Sequence, residues 1–227
     1  MKTEPAWTGS IEHRYDPSTA DFESADLTSA EGTPHRNVYD KYSTRNPVER
    51  RLMEGFFDAL SASMRGLAPD RILEVGAGEG EVTTRVMARF PGVPVLCMDL
   101  PDDETAQHWQ KRDLVGGFGD IHDLPFPDSS FDLVLAIEVL EHVDDPEKAL
   151  AEMERVTRDT VVVSVPREPV WRAANMARGK YLRDLGNTPG HVNHWGSDAF
   201  RRMVARHLDV VWDAKPFPWT MVRATRR

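Results

Sequence analysis

The sequence contains very little cysteine and no long hydrophobic run. The only cysteine among its 227 residues, Cys97, excludes an internal disulfide, and its place in the apolar run VPVLCMDL favours a buried core thiol over a nucleophile. No apolar stretch approaches the roughly 18–20 residues that a membrane span requires. The N-terminal stretch MKTEPAWTGS has no apolar signal-peptide core, so we expect a cytoplasmic protein.

An excess of positive charge is also lacking. The formal net charge is −9, which excludes DNA as an expected partner and disfavours RNA. Residues 155–227 are the exception, with 14 Lys and Arg against 6 Asp and Glu. This basic third is compatible with a solvated face, with an anionic substrate or with an anionic membrane surface.

The order of the segments predicts a single α/β domain. Residues 1–35 are acidic and poor in aliphatic side chains, which predicts a mobile arm before one domain over 36–227. Helical spacing of apolar residues after Asn46 and Pro47 predicts the first helix. The predicted strands that follow are RILEVG, VPVLCMDL, VGGFGDI, FDLVLAIEVL and TVVVSVP, and the predicted helices are EVTTRVMARF, 103–113 and DPEKALAEMERVT. Near-continuous apolar strands separated by helices indicate a mostly parallel sheet with helices on both faces.

Three glycines, Gly76, Gly78 and Gly80, directly follow the first predicted strand. A dinucleotide fingerprint would need glycine where Glu81 stands, and the absence of a following lysine excludes a phosphate-binding P-loop. Asp99 ends the second strand, where a carboxylate can accept from ribose hydroxyls, and Asp120 ends the third, placed to accept from an adenine amino group. Two carboxylates without a cationic phosphate clamp suit a nucleoside cofactor that lacks phosphate.

From about Arg71 to Pro166, the segments LEVGAGEG, MDL and GDIHDLPFPDSSFDLVLAIEVLEHV resemble the successive motifs of class I S-adenosylmethionine-dependent methyltransferases. The resemblance implies a Rossmann-like sheet of seven strands, the last antiparallel, with HLDVVWDA and WTMVRATR as the final two. It implies S-adenosylmethionine as cofactor, in contact with one set of residues: Gly76, Ala77, Gly78 and Gly80 at the methionine part, Asp99 and Leu100 at the ribose, Asp120 and Ile121 at the adenine, Glu138 beside the sulfonium, and Glu74 in the strand before the loop.

The run EVLEHV carries the candidate catalytic residues. If the chain turns helically there, Glu138, Glu141 and His142 fall on one side. One interpretation is that Glu138 only orients the cofactor and His142 only caps the next helix. The other rests on a resemblance to ubiquinone-pathway O-methyltransferases and small-RNA 2′-O-methyltransferases, in which such a run and a downstream histidine hold a divalent metal.

That second resemblance implies Mg²⁺ or Mn²⁺ bound by Glu138, Glu141, His142 and His191, with His194 as the alternative to His191. It makes Glu141, His142 and His191 the candidate catalytic residues, since such an ion lowers the pKa of a hydroxyl that it polarises. If no ion binds, a histidine remains as candidate general base.

Residues 167–195 form the predicted substrate lid. Trp171, Ala174, Tyr181, Leu182 and Leu185 predict an apolar stripe with basic flanks, which packs on the core, lies on an anionic membrane or grips an anionic acceptor. We expect O-methylation of a small hydroxylated acceptor, such as a natural product, a sugar or a lipid-linked compound. The alternatives are methylation of an RNA terminus, N- or C-methylation with histidine as general base, and a non-catalytic cofactor-binding role.

Overall fold

One sheet of seven strands organises the chain. The computed structural model describes residues 46–179 and 181–227, so the predicted arm at 1–35 lies outside the described residues. The helices are α1 (Pro47–Ser63), α2 (Glu81–Arg89), α3 (Asp103–Lys111), α4 (Pro146–Val156), α5 (Val170–Ala177) and α6 (Ser197–His207), with a short 3-10 helix at Leu182–Asp184. The strands are β1 (Ile72–Val75), β2 (Val95–Asp99), β3 (Val115–Phe118), β4 (Phe131–Ile137), β5 (Thr157–Pro166), β6 (Asp209–Ala214) and β7 (Trp219–Thr225).

The strand order β3-β2-β1-β4-β5-β7-β6 confirms the predicted Rossmann-like sheet. The first five strands pair in parallel, and β7 runs antiparallel to both β5 and β6. The order reverses between β1 and β4, and open sheets of this kind bind ligands at the carboxyl ends of the strands at such a point. The residues that follow β1 and β4 therefore lie where a ligand is expected.

Helices cover both faces of the sheet, each over its own apolar core. One face buries Met153 of α4 and Phe200 of α6, and the other buries Phe56 of α1 and Val86 of α2. Each is at most 1% exposed, and burying such a side chain contributes about 1.5–3 kcal/mol. The strands between these layers read as continuous apolar runs because both of their faces are covered.

The first helix begins where the sequence predicts. Asn46 caps α1, its side-chain oxygen accepting from the Val48 amide at 2.9 Å, and Pro47 occupies the first helical position. Proline fits there because the first amides of a helix have no intrahelical acceptor.

Several element boundaries differ from the prediction. The sequence predicts that β4 continues to Leu140, but it ends at Ile137, because Glu138 takes a left-handed backbone conformation with φ of 61°. The next strand, β5, begins at Thr157 rather than Thr160, since α4 leads into it without a loop and Thr157 pairs with Phe131. At α3 and β3 the structure is shorter than predicted, ending at residues 111 and 118. The early end of β4 leaves residues 138–142 to form a turn at the ligand-binding edge.

Candidate active site

The loop after β1 is a tight glycine turn, as predicted. Gly76, Gly78 and Gly80 all have positive φ, of 71°, 50° and 79°, which L side chains rarely adopt. A Cβ on Gly76 would come within 2.3 Å of a Val139 methyl carbon, whereas one on Gly78 would meet no atom of the described residues within 4 Å. The first glycine therefore lets the loop lie directly against the turn after β4, and the second leaves room for a ligand.

Both polar groups of Gly78 are held by side chains. The Gly78 amide donates to the Asp99 carboxylate at 2.6 Å, and the Gly78 carbonyl accepts from the indole nitrogen of Trp109 at 2.8 Å. Asp99 also accepts from the Leu100 amide at 2.8 Å. Burial raises the pKa of Asp99, and the two backbone hydrogen bonds oppose that rise. Asp99 thus fixes the glycine loop from the end of β2, which is where the sequence predicts a ribose-binding carboxylate.

Glu74 lies inside the protein beneath this loop. The Thr83 hydroxyl of α2 donates to its carboxyl group, and the Cys97 thiol lies 3.4 Å from that hydroxyl. Burial raises the pKa of Glu74 from 4.5 to about 8, while the bond from Thr83 lowers it and the nearby Asp99 raises it further. Burial likewise raises the pKa of Cys97, to about 12, so the thiol is a core group, as the sequence indicates.

The two residues predicted at the adenine follow β3. Asp120 is exposed, and its carboxylate accepts from the His122 amide at 2.9 Å and contacts the His122 ring at 2.7 Å. Ile121 is buried in the core of one face. Leu100 is 37% exposed beside Asp99, so a ligand can reach both of these rim side chains, Leu100 and Asp120.

The chain makes a single turn after β4 rather than the continuous helix that would bring three residues to one side. The His142 amide donates to the Val139 carbonyl at 2.9 Å, which closes a turn around Leu140 and Glu141. Glu138 precedes the turn, and its carboxylate accepts from the Ser164 hydroxyl of β5 at 3.0 Å. Glu138 thus has a hydrogen-bonding partner in β5, whereas Glu141 and His142 lie in the turn that follows.

The structure brings Glu141, His142 and His191 together. One possible ligand atom from each lies within 4.8 Å of the other two, and among the described residues Glu138 and His194 are outside this group. The Glu141 carboxylate is buried and lies 3.9 Å from Nε2 of His142. The rings of His142 and His191 meet edge to face with their centroids 4.8 Å apart. We call these three residues the Glu-His-His cluster.

A backbone contact indicates which ring nitrogen of neutral His142 carries the proton. Its Nδ1 lies 2.8 Å from the carbonyl oxygen of Gly190. A carbonyl oxygen only accepts, so this contact assigns the proton of the neutral ring to Nδ1 and leaves the lone pair on Nε2. That lone pair is on the side of the ring that faces Glu141.

His194, the alternative to His191, lies elsewhere. It is exposed, and its Nε2 is 2.7 Å from the side-chain oxygen of Asn187. His191 is 6% exposed and stacks on the Trp171 ring at a centroid distance of 6.1 Å. Of the two histidines, only His191 lies beside Glu141 and His142.

The segment predicted to be a lid, residues 167–195, forms only part of the predicted apolar stripe. Trp171 points into the core and donates its indole N–H to the Thr188 hydroxyl at 2.9 Å, but Leu182 and Leu185 are 58% and 66% exposed. The left-handed residues Tyr181 and Leu185 flank the short 3-10 helix, so the segment is not one amphipathic helix. In the part of the chain that the structure covers, we find no helix with the length and apolar character needed to cross a bilayer.

Sequence reasoning missed three residues that shape the site. Thr83 reaches Glu74, Trp109 holds Gly78, and Asn193 binds the turn after β4. Thr83 and Trp109 carry no motif that distinguishes them from ordinary helix residues. Asn193 stands between the two candidate histidines, and that position was the available signal.

Comparison with known proteins finds similarity to methyltransferases. Residues 73–164 match the family described as a methyltransferase domain. A malonyl-[acyl-carrier protein] O-methyltransferase from Geobacter sulfurreducens is 33% identical over 132 residues, which cover 55% of this chain and 47% of the relative. Ajmaline N-methyltransferase from Rauvolfia serpentina is 45% identical over 103 residues, which cover 43% of this chain and 35% of the relative. The chain thus spans about half the length of these relatives or less.

A solved structure shows the same fold. Magnesium protoporphyrin IX methyltransferase from Synechocystis PCC 6803, with bound SAH, has a TM-score of 0.60 over 81% of this chain and 89% of that one, at 13% identity. The matched residues 73–164 include the glycine turn, Asp99 and the turn after β4. Residues 73–164 are thus similar to a methyltransferase domain, and the described sheet has the fold of a methyltransferase solved with bound SAH.

Proposed function

We propose that this protein transfers a methyl group from S-adenosylmethionine to a hydroxyl of a small acceptor, and that the Glu-His-His cluster acts on that hydroxyl. The observation that carries the proposal is the position of the cluster. The turn with Glu141 and His142 lies against the glycine loop, where a Cβ on Gly76 would reach Val139. Groups that hold a methyl donor and groups that handle a proton are therefore neighbours at one edge of the sheet.

The residues at the carboxyl ends of the first strands fit the donor. The positive-φ turn at Gly76, Ala77, Gly78 and Gly80 suits the methionine part, because backbone without side chains admits close approach. Asp99 and Leu100 are the proposed ribose contacts, and Asp120 and Ile121 the adenine contacts. Glu138 and Glu74 complete the proposed set. When bound, S-adenosylmethionine supplies a methyl group that its positive sulfur already activates.

The cluster supplies what the donor does not, a group that takes the acceptor's proton. The contact with Gly190 leaves Nε2 of His142 with a free lone pair that can accept a proton. The Glu141 carboxylate, 3.9 Å from Nε2, would stabilise the charged ring after proton transfer. A positioned base of this kind typically contributes about 10²–10⁴-fold. His191 lies close enough to serve as the base instead or to orient the hydroxyl.

A divalent metal is the alternative use of the same three side chains. One carboxylate and two imidazoles within 4.8 Å of each other can hold a small cation, with Glu141, His142 and His191 as ligands. Two nitrogen donors favour Mn²⁺ over Mg²⁺, which prefers oxygen. Bound there, such an ion would lower the pKa of an acceptor hydroxyl. Glu138 is left out of this proposed ligand set because its carboxylate accepts from Ser164 and it lies outside the group of three.

The acceptor is proposed to enter beneath the lid. Trp171 stacks on His191 at the end of the lid nearest the cluster, so an acceptor held there meets apolar and imidazole groups together. The exposed Leu182 and Leu185 beside Arg183 support a lipid-linked or anionic acceptor, or contact with a membrane surface, as further predictions. The similarity to ajmaline N-methyltransferase supports a second candidate, transfer to an amine with histidine as the base.

The deciding experiment is a calorimetric titration of Mn²⁺ and Mg²⁺ into protein saturated with S-adenosylhomocysteine. The variants are Glu141→Gln and His191→Gln, with His194→Gln as the matched histidine control. Binding that both site variants lose and His194→Gln keeps would support the metal-assisted reaction. No binding in wild type would exclude the ion and leave histidine as the base.

A parallel assay tests the reaction itself. Transfer of labelled methyl from S-adenosylmethionine is measured with phenols, polyketide alcohols and sugars, and with secondary amines as the competing class. The proposal is supported if wild type methylates hydroxyl acceptors and if Glu141→Gln and His142→Gln each abolish that methylation. Methylation confined to amines would replace it with the second candidate.

A further inference from the structure

The two halves of the Glu-His-His cluster come from distant parts of the chain, and one side chain joins them. The side-chain amide of Asn193 donates to the Val143 carbonyl at 2.6 Å and to the Leu140 carbonyl at 3.1 Å. These two carbonyls lie on either side of Glu141 and His142. The amide thus spans the turn that carries one half of the cluster, and it comes from the segment that carries the other half.

Backbone contacts extend this connection. The amides of Val192 and Asn193 both donate to the Glu141 carbonyl, at 2.9 and 3.1 Å. A carbonyl oxygen has two lone pairs and can accept both bonds, but the two bonds meet the turn at a single atom. The two side-chain bonds of Asn193 have separate acceptors and therefore fix the register between the segment and the turn.

The position of Gly190 depends on the same register. Its carbonyl oxygen accepts from Nδ1 of His142, and Gly190 stands only three residues before Asn193. A shift of the segment would move this carbonyl away from the ring and His191 away from His142. The tautomer of His142 and the spacing of the two imidazoles therefore both depend on the register between this segment and the turn after β4.

We propose that Asn193 is a positioning residue that holds His191 beside Glu141 and His142 and keeps the proton of His142 on Nδ1. A hydrogen bond that orients a functional histidine from outside the site typically contributes about 10–100-fold in activity or metal affinity, and for His142 that bond goes to the Gly190 carbonyl. The inference rests on the proposed function for its catalytic meaning. Its test does not, because it requires neither an acceptor nor methyl transfer.

The test uses ¹⁵N NMR of histidine-labelled protein above the pH at which the imidazoles titrate. His142→Gln identifies the His142 signals. In wild type we expect the ¹⁵N shifts of His142 to be those of the Nδ1–H tautomer. We also expect a nuclear Overhauser effect between ring protons of His142 and His191, which we call the cross-ring contact. Asn193→Asp keeps the shape but replaces the donor by a carboxylate facing two carbonyl oxygens, so the His142 signals should move toward the mixture of tautomers of a solvated ring and the cross-ring contact should be lost.

Asp132→Ala is the matched control. The Asp132 carboxylate also holds two backbone groups, accepting from the amides of Asp70 and Arg71 at 2.9 Å, but at the opposite end of β4. It should lower the unfolding temperature and leave both histidine signatures unchanged. Wild-type signatures in folded Asn193→Asp would overturn the proposal. If that variant fails to bind S-adenosylhomocysteine or to unfold cooperatively, Asn193→Ser is measured in its place, with the same two outcomes.

Discussion

The Thr83 hydroxyl donates to the Glu74 carboxyl in the interior, beneath the glycine loop. The native carboxyl keeps its proton up to a pKa of about 8, while the carboxyl of the unfolded chain loses it near 4.5. In that interval the native state binds the extra proton, so rising pH favours unfolding, by up to about 1.4 kcal/mol per pH unit. The contribution is complete below the lower pKa and is lost as the pH approaches the upper one.

Glu74→Gln tests this linkage because the neutral amide cannot ionise. We expect the free energy of unfolding of wild type to fall more steeply between pH 5 and pH 8 than that of the variant, as measured by urea denaturation without cofactor. The two slopes should become equal once Glu74 no longer differs in protonation between the states. Parallel curves across this interval would contradict the assignment of a protonated Glu74.

Asp99→Asn tests the ribose assignment. The amide can replace neither the charge of the carboxylate nor both of its acceptor oxygens, which already receive the Gly78 and Leu100 amides. Hydrogen bonds to charged groups contribute about 1.5–3 kcal/mol, so affinity for S-adenosylhomocysteine should fall roughly 10- to 100-fold in a calorimetric titration. Asp103→Asn, an exposed acid at the start of α3, should bind as wild type does. Unchanged affinity in Asp99→Asn would remove Asp99 from the site.

Alanine variants of Gly76 and Gly78 distinguish two reasons why the loop requires glycine, which are the positive φ and the lack of space for a Cβ. Both have positive φ, so alanine costs about 1–2 kcal/mol of backbone strain at either position. Only at Gly76 would the new Cβ also meet Val139, at 2.3 Å, which adds about 1–3 kcal/mol. Thermal unfolding should therefore show a larger loss of stability for Gly76→Ala than for Gly78→Ala.

The double variant Gly76→Ala with Val139→Ala provides the control. Removing the valine methyl groups removes the clash but leaves the strain, so part of the stability lost in Gly76→Ala should return. If the two single glycine variants lose equal stability, contact with Val139 does not explain Gly76.

The sequence sufficed for the mostly parallel sheet and the glycine turn because period, apolar runs and glycine spacing are local signals, and the antiparallel last strand followed from the family resemblance. Asp99 was located for the same reason, since it ends a readable strand. The sequence did not indicate the left-handed backbone of Glu138 or its contact with Ser164, which lies 26 positions away. No local pattern reports that contact.

The lid shows the same limit. Trp171 and Leu185 look alike as apolar residues on one stripe, but the Trp171 side chain is buried and donates to the Thr188 hydroxyl, whereas the Leu185 side chain is exposed. Choosing His191 over His194 likewise required knowledge of how the segment that contains both histidines lies against the turn after β4. Contacts between side chains that meet through long-range packing were thus beyond sequence reasoning.

The histidines themselves give the most direct functional test. His142→Gln and His191→Gln should each lower kcat of methyl transfer by about 10²–10⁴-fold, because each removes a proton-accepting or orienting nitrogen beside the reacting hydroxyl. Affinity for S-adenosylhomocysteine should change little, since neither residue belongs to the glycine turn. His207→Gln is the control, a histidine at the end of α6 whose ring contacts Glu147 at 2.7 Å. Full turnover in both site variants would make the two histidines structural, whereas equal losses of turnover and cofactor affinity would mean that they shape the donor site instead.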